Sequence, residues 1–338
     1  MYKELRPKTF EEFVGQPEVV ERLKNIINIV LCKDCNGTGR ANGDVCPACE
    51  GLGWRERPPD LLFAGPAGVG KTTAAYIMAR ELKARILELN ASDERGIQTI
   101  REDVKSQSRM KGRRIIFLDE SDGLSSDAMW ALRRIMETSA RGVFFILSCN
   151  YIHRLIEPIQ DRCVVIKFRK LTKEELKQIA LRGLKYLGRK YNLRVKKSDY
   201  DKIQLALDKL AEYADGSARR ALNILYDIVR EGEITPQKII QSIPPDIAEE
   251  VIKATLDDDF ERALERLETL YVENKLDPWF TVKRLHSVIG DIEDRQLRIW
   301  AYSRLATTYD RLIQRQGDPF IELCGFLADL WIAKYARR

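Results

Sequence analysis

Residues 60–75 read DLLFAGPAGVGKTTAA, an apolar run that breaks into a glycine-rich turn and then into alanine-rich helical sequence. The turn, Gly65 to Thr72, fits G-x-x-x-x-G-K-T, and its place between a strand and a helix gives the pattern chemical content. Glycines let backbone N–H groups curl around phosphate oxygens, Lys71 brings charge to the outer phosphates, and Thr72 offers a hydroxyl to magnesium. Gly65, Pro66, Ala67, Gly68, Val69, Gly70, Lys71, Thr72 and Thr73 are therefore the expected phosphate loop.

Working outward, RILELN (85–90), RIIFLDE (114–120), VFFILSCN (143–150) and VVIKF (164–168) are further short apolar runs, separated by helical stretches such as TTAAYIMARELK and SSDAMWALRRIMET. Strands alternating with helices predict an α/β fold, a parallel five-stranded sheet with helices on both faces. From about Arg169 the strand signal stops. LTKEELKQ opens with Thr172 three residues before Glu175, a capping-box start, and helical periodicity runs on to about Arg230. EGEITPQ and the Pro244-Pro245 pair mark a second junction, after which Phe260, Ala263, Leu264, Leu267, Leu270 and Tyr271 fall on one helical face. The expected units are 1–168, 169–235 and 236–338, the last two helical.

With 338 residues, 44% of them hydrophobic and 32% charged, the composition is that of a soluble globular protein. No apolar run reaches the roughly 18 residues of a membrane-spanning helix. The opening MYKELRPKTFEEF lacks the apolar core of a signal peptide, so an intracellular, cytoplasmic location is expected and disulfides are not. A net charge of +6 permits a polyanionic partner and equally describes a solvated surface.

Two strand ends and two arginine-bearing segments add chemistry. RIIFLDES closes on Asp119, expected to hold magnesium, and Glu120, expected to orient and deprotonate an attacking water. VFFILSCN places Asn150 where its amide can reach a terminal phosphate or that water. IEPIQDRC offers Arg162 and GSARRALN offers Arg219 as cations for phosphate.

Residues 32–53, CKDCNGTGRANGDVCPACEGLG, hold two copies of C-x-x-C-x-G-x-G. Each copy supplies two thiolates from a tight turn, and the glycines permit positive φ and close approach of backbone N–H groups to sulfur. Cys32, Cys35, Cys46 and Cys49 together make a tetrahedral zinc site. The competing readings, a disulfide pair or redox thiols, leave the duplicated glycines unexplained. The repeat resembles the zinc module of J-domain co-chaperones over this block alone, and no J-domain signature accompanies it. The block enters ahead of the strand DLLFA, whereas phosphate binds beyond that strand's carboxyl end, so a structural or docking role is expected for the metal. Cys149, Cys163 and Cys324 sit in apolar surroundings and are expected in cores.

LRPKTFEEFVGQ, GPAGVGKTTAA, ELNASDERGI, IIFLDESD, FILSCNY, EPIQDRC and GSARRALN occur in this order, and together they resemble the small subunit of replication factor C, in its archaeal form, closely over residues 3–230. The resemblance implies an AAA+ ATPase in a hetero-pentameric clamp loader, with the large subunit and other small subunits as neighbours. ATP binding opens the sliding clamp, and primer-template DNA triggers hydrolysis and release of the closed ring. It makes Gly65 to Thr72 the Walker A loop, Asp119 and Glu120 Walker B, Asn150 sensor 1, Arg219 sensor 2 and Arg162 a finger acting on the neighbouring subunit's ATP. Arg6, Pro7 and Val14 would enclose the adenine, and ATP, Mg²⁺ and Zn²⁺ are the implied ligands. Two departures stand out: Leu5 replaces the family's Tyr before Arg-Pro, and Asp161 replaces Ser before the finger, where a carboxylate is expected to draw the guanidinium aside. Arg95, Arg101, Lys105, Arg109, Lys111, Arg113 and Arg114 surround a predicted helix in the position the family uses to follow a DNA backbone; a solvated face is the equal alternative. Rival readings of the whole are a weakly hydrolysing structural or regulatory subunit, or another AAA+ machine that remodels DNA.

Overall fold

The computed structural model describes residues 2–91, 100–192, 199–230, 235–241, 247–273, 278–314 and 318–336. The chain divides into two compact units, Met1–Ile243 and Pro244–Arg338.

The first unit is organised by five parallel strands: β3 (Leu61–Ala64), β4 (Arg85–Asn90), β5 (Arg114–Asp119), β6 (Val143–Cys149) and β7 (Val164–Lys167), in the order β4-β5-β6-β3-β7. A short antiparallel pair, β1 (Arg40–Ala41) and β2 (Asp44–Val45), stands apart within the cysteine block. β6 lies between β5 and β3 with helices over both faces, and every residue of VFFILSC is buried, which is why it reads as an unbroken apolar run. β4, at the edge, has no fully buried residue.

The two-residue period of the strands sorts their side chains into two cores. Leu61, Phe63, Ile115, Phe117, Phe144 and Ile146 join the helices Pro17–Val30 and Lys71–Glu81. Leu62, Ala64, Ile116, Leu118, Phe145 and Leu147 join the helix Ser126–Glu137 on the other face. Because all five strands are parallel, their carboxyl ends share one rim of the sheet and their amino ends the other.

After β7 the helices Lys173–Lys190, Tyr200–Ala214 and Ala218–Arg230 gather around an apolar core of their own, and Pro236–Gln241 joins them through Ile239. The Thr172 hydroxyl accepts from the Glu175 N–H while the Glu175 carboxylate accepts from the Thr172 N–H, the reciprocal cap expected from TKEE. The first unit thus holds both the sheet and this helical layer.

In the second unit the helices Ile247–Leu256, Phe260–Glu273, Pro278–Ile289, Arg295–Ile313 and Pro319–Tyr335 enclose one core. Ala263, Leu267 and Leu270 are buried there and Phe260 and Tyr271 pack against it, as the helical periodicity requires. Among the described residues no helix is long and apolar enough to cross a membrane.

Candidate nucleotide site and metal centre

The carboxyl ends of β3, β5 and β6 converge on a cavity of about 270 Å³. The phosphate loop curls off β3, and Lys71 begins the helix behind it, largely buried. Its Nζ donates to the Gly65 carbonyl (2.6 Å), the Pro66 carbonyl (2.8 Å) and Asn150 Oδ1 (3.0 Å), so the sensor-position amide and the loop lysine meet. Burial lowers the Lys71 pKa, and the Asp119 carboxylate is the chief influence opposing it. Thr72 Oγ1 donates to Asp119 Oδ2 at 3.0 Å. A hydroxyl and a carboxylate oxygen facing each other from a helix and a strand end are the hard donors magnesium takes, so these two residues fit the ion. Glu120 follows in a left-handed conformation (φ 54°), which turns the chain off the strand and leaves the carboxylate exposed along the cavity.

Ala67, Gly68, Val69, Gly70 and Thr73 line the same cavity, as do Arg219, Arg6, Pro7 and Val14. Gly65 and Pro66 contribute by holding Lys71 with their carbonyls. The Ala218 N–H donates to the Gly68 carbonyl at 3.0 Å, setting the first turn of the Arg219 helix on the loop. The Gln16 amide bridges the backbone of Arg169 in both directions, and Arg182 reaches the Glu12 carbonyl, tying the N-terminal segment to the helical layer.

Leu5, in place of the family's aromatic residue, does line the cavity. Aromatic character there comes instead from Phe13, also in the lining, and the lining residue Arg6 is held over the ring of Tyr76, 4.5 Å from its centroid. Neither aromatic residue was singled out from sequence. Nor were Asp122, whose carboxylate accepts from the N–H groups of Asn150 (3.1 Å) and Tyr151 (3.0 Å) and so fixes the Asn150 turn, or Ser148. The Ser148 hydroxyl is buried at the cavity wall with no hydrogen-bond partner among the described residues, an orphan that a polar ligand would satisfy. The triplet Ser-Cys-Asn closing an apolar strand was the available signal for it. Cys149 and Cys163 are core residues as expected, and Cys324 is partly buried against the second unit's core.

Arg162 lies outside this cavity, at the amino-end rim. Its Nε stands 3.5 Å from Asp60 Oδ2, and its Nη2 donates to the Met136 carbonyl at 3.0 Å. The carboxylate that engages it is therefore Asp60, the residue before β3, rather than the adjacent Asp161. Asp60 also accepts from Arg57 Nη2 (2.7 Å) and the Phe145 N–H (2.9 Å). Burial raises the Asp60 pKa, and the Arg57 guanidinium is the largest influence the other way.

The cysteine block sits on the same amino-end rim. Cys32 and Cys46 sulfurs are 3.9 Å apart, Cys35 and Cys49 sulfurs 3.7 Å, and all four lie within 4.8 Å of one another. Zinc–thiolate bonds of about 2.3 Å in a tetrahedron put sulfurs about 3.8 Å apart, whereas a disulfide needs about 2.05 Å, so the set fits zinc. The two copies fold alike: Gly39 N–H donates to Cys35 Sγ (3.3 Å) and Gly53 N–H to Cys49 Sγ (3.1 Å). Gly39 and Gly53 have φ of 83° and 76°, and a Cβ on them would stand 2.3 Å from the Gly51 carbonyl oxygen and 2.6 Å from that of Gly37. Glycine is required at both places. Trp54, fully buried, anchors the exit by donating its indole N–H to the Leu82 carbonyl and packing edge-on to Phe144.

Lys83 donates to the Asn36 carbonyl, Arg113 to the Gly37 carbonyl, and Arg141 pairs with Glu50. These cations precede β4, β5 and β6, so the metal centre and the nucleotide cavity occupy opposite rims of one sheet. Arg113 is thereby committed to the metal centre, and Arg114 opens β5 with its guanidinium on Gln107, so neither sits on the predicted basic helix. Helical turns there end at Ser108; Arg95 and the side chain of Arg101 lie outside what the structure describes.

Residues 61–171 match the model of the ATPase family associated with various cellular activities (AAA). The Holliday junction branch migration motor RuvB of Thermotoga maritima has the same fold, with a TM-score of 0.55 and 18% identity over 74% of this chain and 78% of that one. The chain is an AAA-class ATP hydrolase. The replication factor C small subunit of Aeropyrum pernix is 32% identical, over 98% of this chain and 95% of its own length. Those of Archaeoglobus fulgidus and Methanothermobacter thermautotrophicus are each 35% identical over 96% of this chain, covering 95% and 94% of theirs. The chain belongs to the replication factor C small-subunit family, the ATPase subunits of the clamp loader of DNA replication.

Proposed function

We propose that this chain is a hydrolysing small subunit of a hetero-pentameric replication factor C. With the large subunit and further small subunits it uses ATP to place the sliding clamp, proliferating cell nuclear antigen, on primer-template DNA in the cytoplasm, at the nucleoid. The observation that carries the reading is the meeting of Lys71 with Asn150 and of Thr72 with Asp119, both at 3.0 Å, in one cavity.

The loop amides and Lys71 bind the phosphates, Thr72 and Asp119 hold magnesium, Glu120 takes the proton of the attacking water, and Asn150 orients that water beside the terminal phosphate. Magnesium, when bound, neutralises charge developing on the phosphates. Arg219 reads the phosphates from the helical layer. Arg162 serves the neighbouring subunit, a role supported by its place outside its own chain's cavity. Arg6, Pro7 and Val14, with Phe13, hold the base. Cys32, Cys35, Cys46 and Cys49 hold one structural zinc, which leaves no position for water and supplies ordering energy rather than chemistry.

The sheet with its insertion, the helices up to 235 and the remaining helices act as ATPase, lid and collar domains. Arg101, Lys105, Arg109 and Lys111 remain for the DNA backbone, with affinity that falls as salt rises. The test is ATP turnover of the chain alone and with large subunit, clamp and primed DNA. Stimulation that requires the full set supports the reading; turnover indifferent to clamp and DNA overturns it.

A further inference from the structure

On the amino-end rim, two guanidinium groups share one buried carboxylate. The Asp60 side chain is 1% exposed and that of Arg162 32%. Arg57 is the close partner at 2.7 Å, and its Nε is also held by the Val143 carbonyl (2.9 Å). Arg162 is the looser partner at 3.5 Å. One negative charge against two positive ones leaves this corner cationic. Asp60 therefore orients Arg162 without neutralising it, because Arg57 already balances the carboxylate.

We propose that Asp60 is the positioning residue for Arg162. With the Met136 carbonyl it grips the inner edge of the guanidinium through Nε and Nη2 and presents the outer edge to the triphosphate of the adjoining subunit. Nη1 has no hydrogen-bond partner among the described residues. A planar fork held on one edge offers its other edge in a set direction, so less rotamer entropy is lost when phosphate arrives. Asp60 is itself a firm base: it also accepts from the Phe145 N–H of β6 and directly precedes β3, the strand that carries the phosphate loop at its far end. The inference rests on Arg162 acting in trans. It adds that a residue with no access to either nucleotide sets the rate of the neighbour's hydrolysis.

The test is a double-mutant cycle on ATP turnover in the assembled complex with clamp and primed DNA, using Asp60→Asn, Arg162→Ala and both together. Asp60→Asn is expected to lower kcat about ten- to a hundredfold, the scale of a catalytic group misplaced by about 1 Å, with KM for ATP unchanged. In the Arg162→Ala background the same change should have no further effect on kcat, whereas any loss of thermal stability should persist in both backgrounds. If Asp60→Asn lowers kcat equally in both, Asp60 is structural only and the proposal fails. If Arg162→Ala lowers kcat and Asp60→Asn does not, the proposal fails while the trans role of Arg162 stands. If Arg162→Ala changes nothing, the trans reading itself falls and takes the proposal with it. Should Asp60→Asn not fold, Arg162→Lys replaces it, since an ammonium cannot be gripped on one edge and offered on the other. It is expected to lose as much turnover as Arg162→Ala, and full turnover would overturn the proposal.

Discussion

At the carboxyl-end rim the working side chains are brought together by a sheet that folds on its own apolar cores, whereas at the amino-end rim the cysteine block has almost no apolar interior. Its buried cluster is the four cysteines, with Ala41 alone packed against them. Lys71, Asp119 and Asn150 meet because β3, β5 and β6 end on one rim, and removing any one leaves the strands paired. The cysteine block has two-residue strands and carbonyls that lean on Lys83 and Arg113 from outside. One site is a consequence of the fold; the other, on the proposed zinc reading, would draw most of its ordering energy from its ligand.

The largest effect should come from breaking the second kind of site. Replacing Cys46 and Cys49 by Ser removes half the shell, and structural zinc supplies on the order of 10 kcal/mol to such modules. Elemental analysis should find zinc lost from a chain that otherwise carries one ion, and limited proteolysis should cut within 32–57. ATP binding should survive, since the sheet lies between the two sites; loss of nucleotide binding in a chain that stays folded would contradict the separation of the rims.

Next in size, Glu120→Gln should slow hydrolysis in the assembled complex by about 10²–10⁴, the usual worth of a general base, roughly 3–5 kcal/mol of barrier. It should still bind ATP and keep its zinc. Wild-type turnover would remove Glu120 from the chemistry.

A finer comparison lies within the cysteine block. Gly53→Ala puts a Cβ 2.6 Å from the Gly37 carbonyl oxygen, while Gly43, with φ of 91°, has nothing within 4 Å of that position. Both substitutions incur backbone strain of about 1–3 kcal/mol, but only the first also presses on the other copy of the repeat. Gly53→Ala should therefore release zinc to a chelator faster than Gly43→Ala; equal rates would show that strain alone matters.

The smallest effect belongs to Thr172→Ala, which removes the hydroxyl half of a helix cap and should cost about 1 kcal/mol. For a unit of this size that is a melting shift of about 2–4 °C. Zinc content and ATP affinity should both be unchanged, because the cap serves the helical layer and belongs to neither site.

Much of the molecule was legible from local patterns. Strand, loop and helix around Lys71, the carboxylate pair after RIIFL and the doubled C-x-x-C-x-G-x-G each declare themselves within a few residues, since their geometry is set by the backbone between them. The end of the strand signal near Arg169 was also legible, and the Thr172 cap opens the helices there, although the sheet and those helices share one compact unit that runs to Ile243. Less legible were residues whose partners are remote in the chain. Asp60 and Phe145, 85 positions apart, meet through the β3–β6 pairing, and Arg113 reaches Gly37 across 76 positions. Asp161 looked like the partner of Arg162 because it is adjacent in sequence, but the carboxylate that engages the arginine is Asp60, brought in from the residue before β3.

What the sequence determined by itself is the inventory of candidate chemistry: a glycine-rich loop with its lysine, a pair of carboxylates at a strand end, an amide at another and four thiols at metal-ligand spacing. Each is a local motif whose atoms are placed by the turns that bear them. What only the tertiary structure decided is allegiance, meaning which side chains share a rim. Lys71 joins Asn150 at one end of the sheet, while Arg162 joins Asp60 at the other. Parallel pairing alone sets that assignment, because it sends every strand's carboxyl end to one rim and every amino end to the other whatever the distance along the chain.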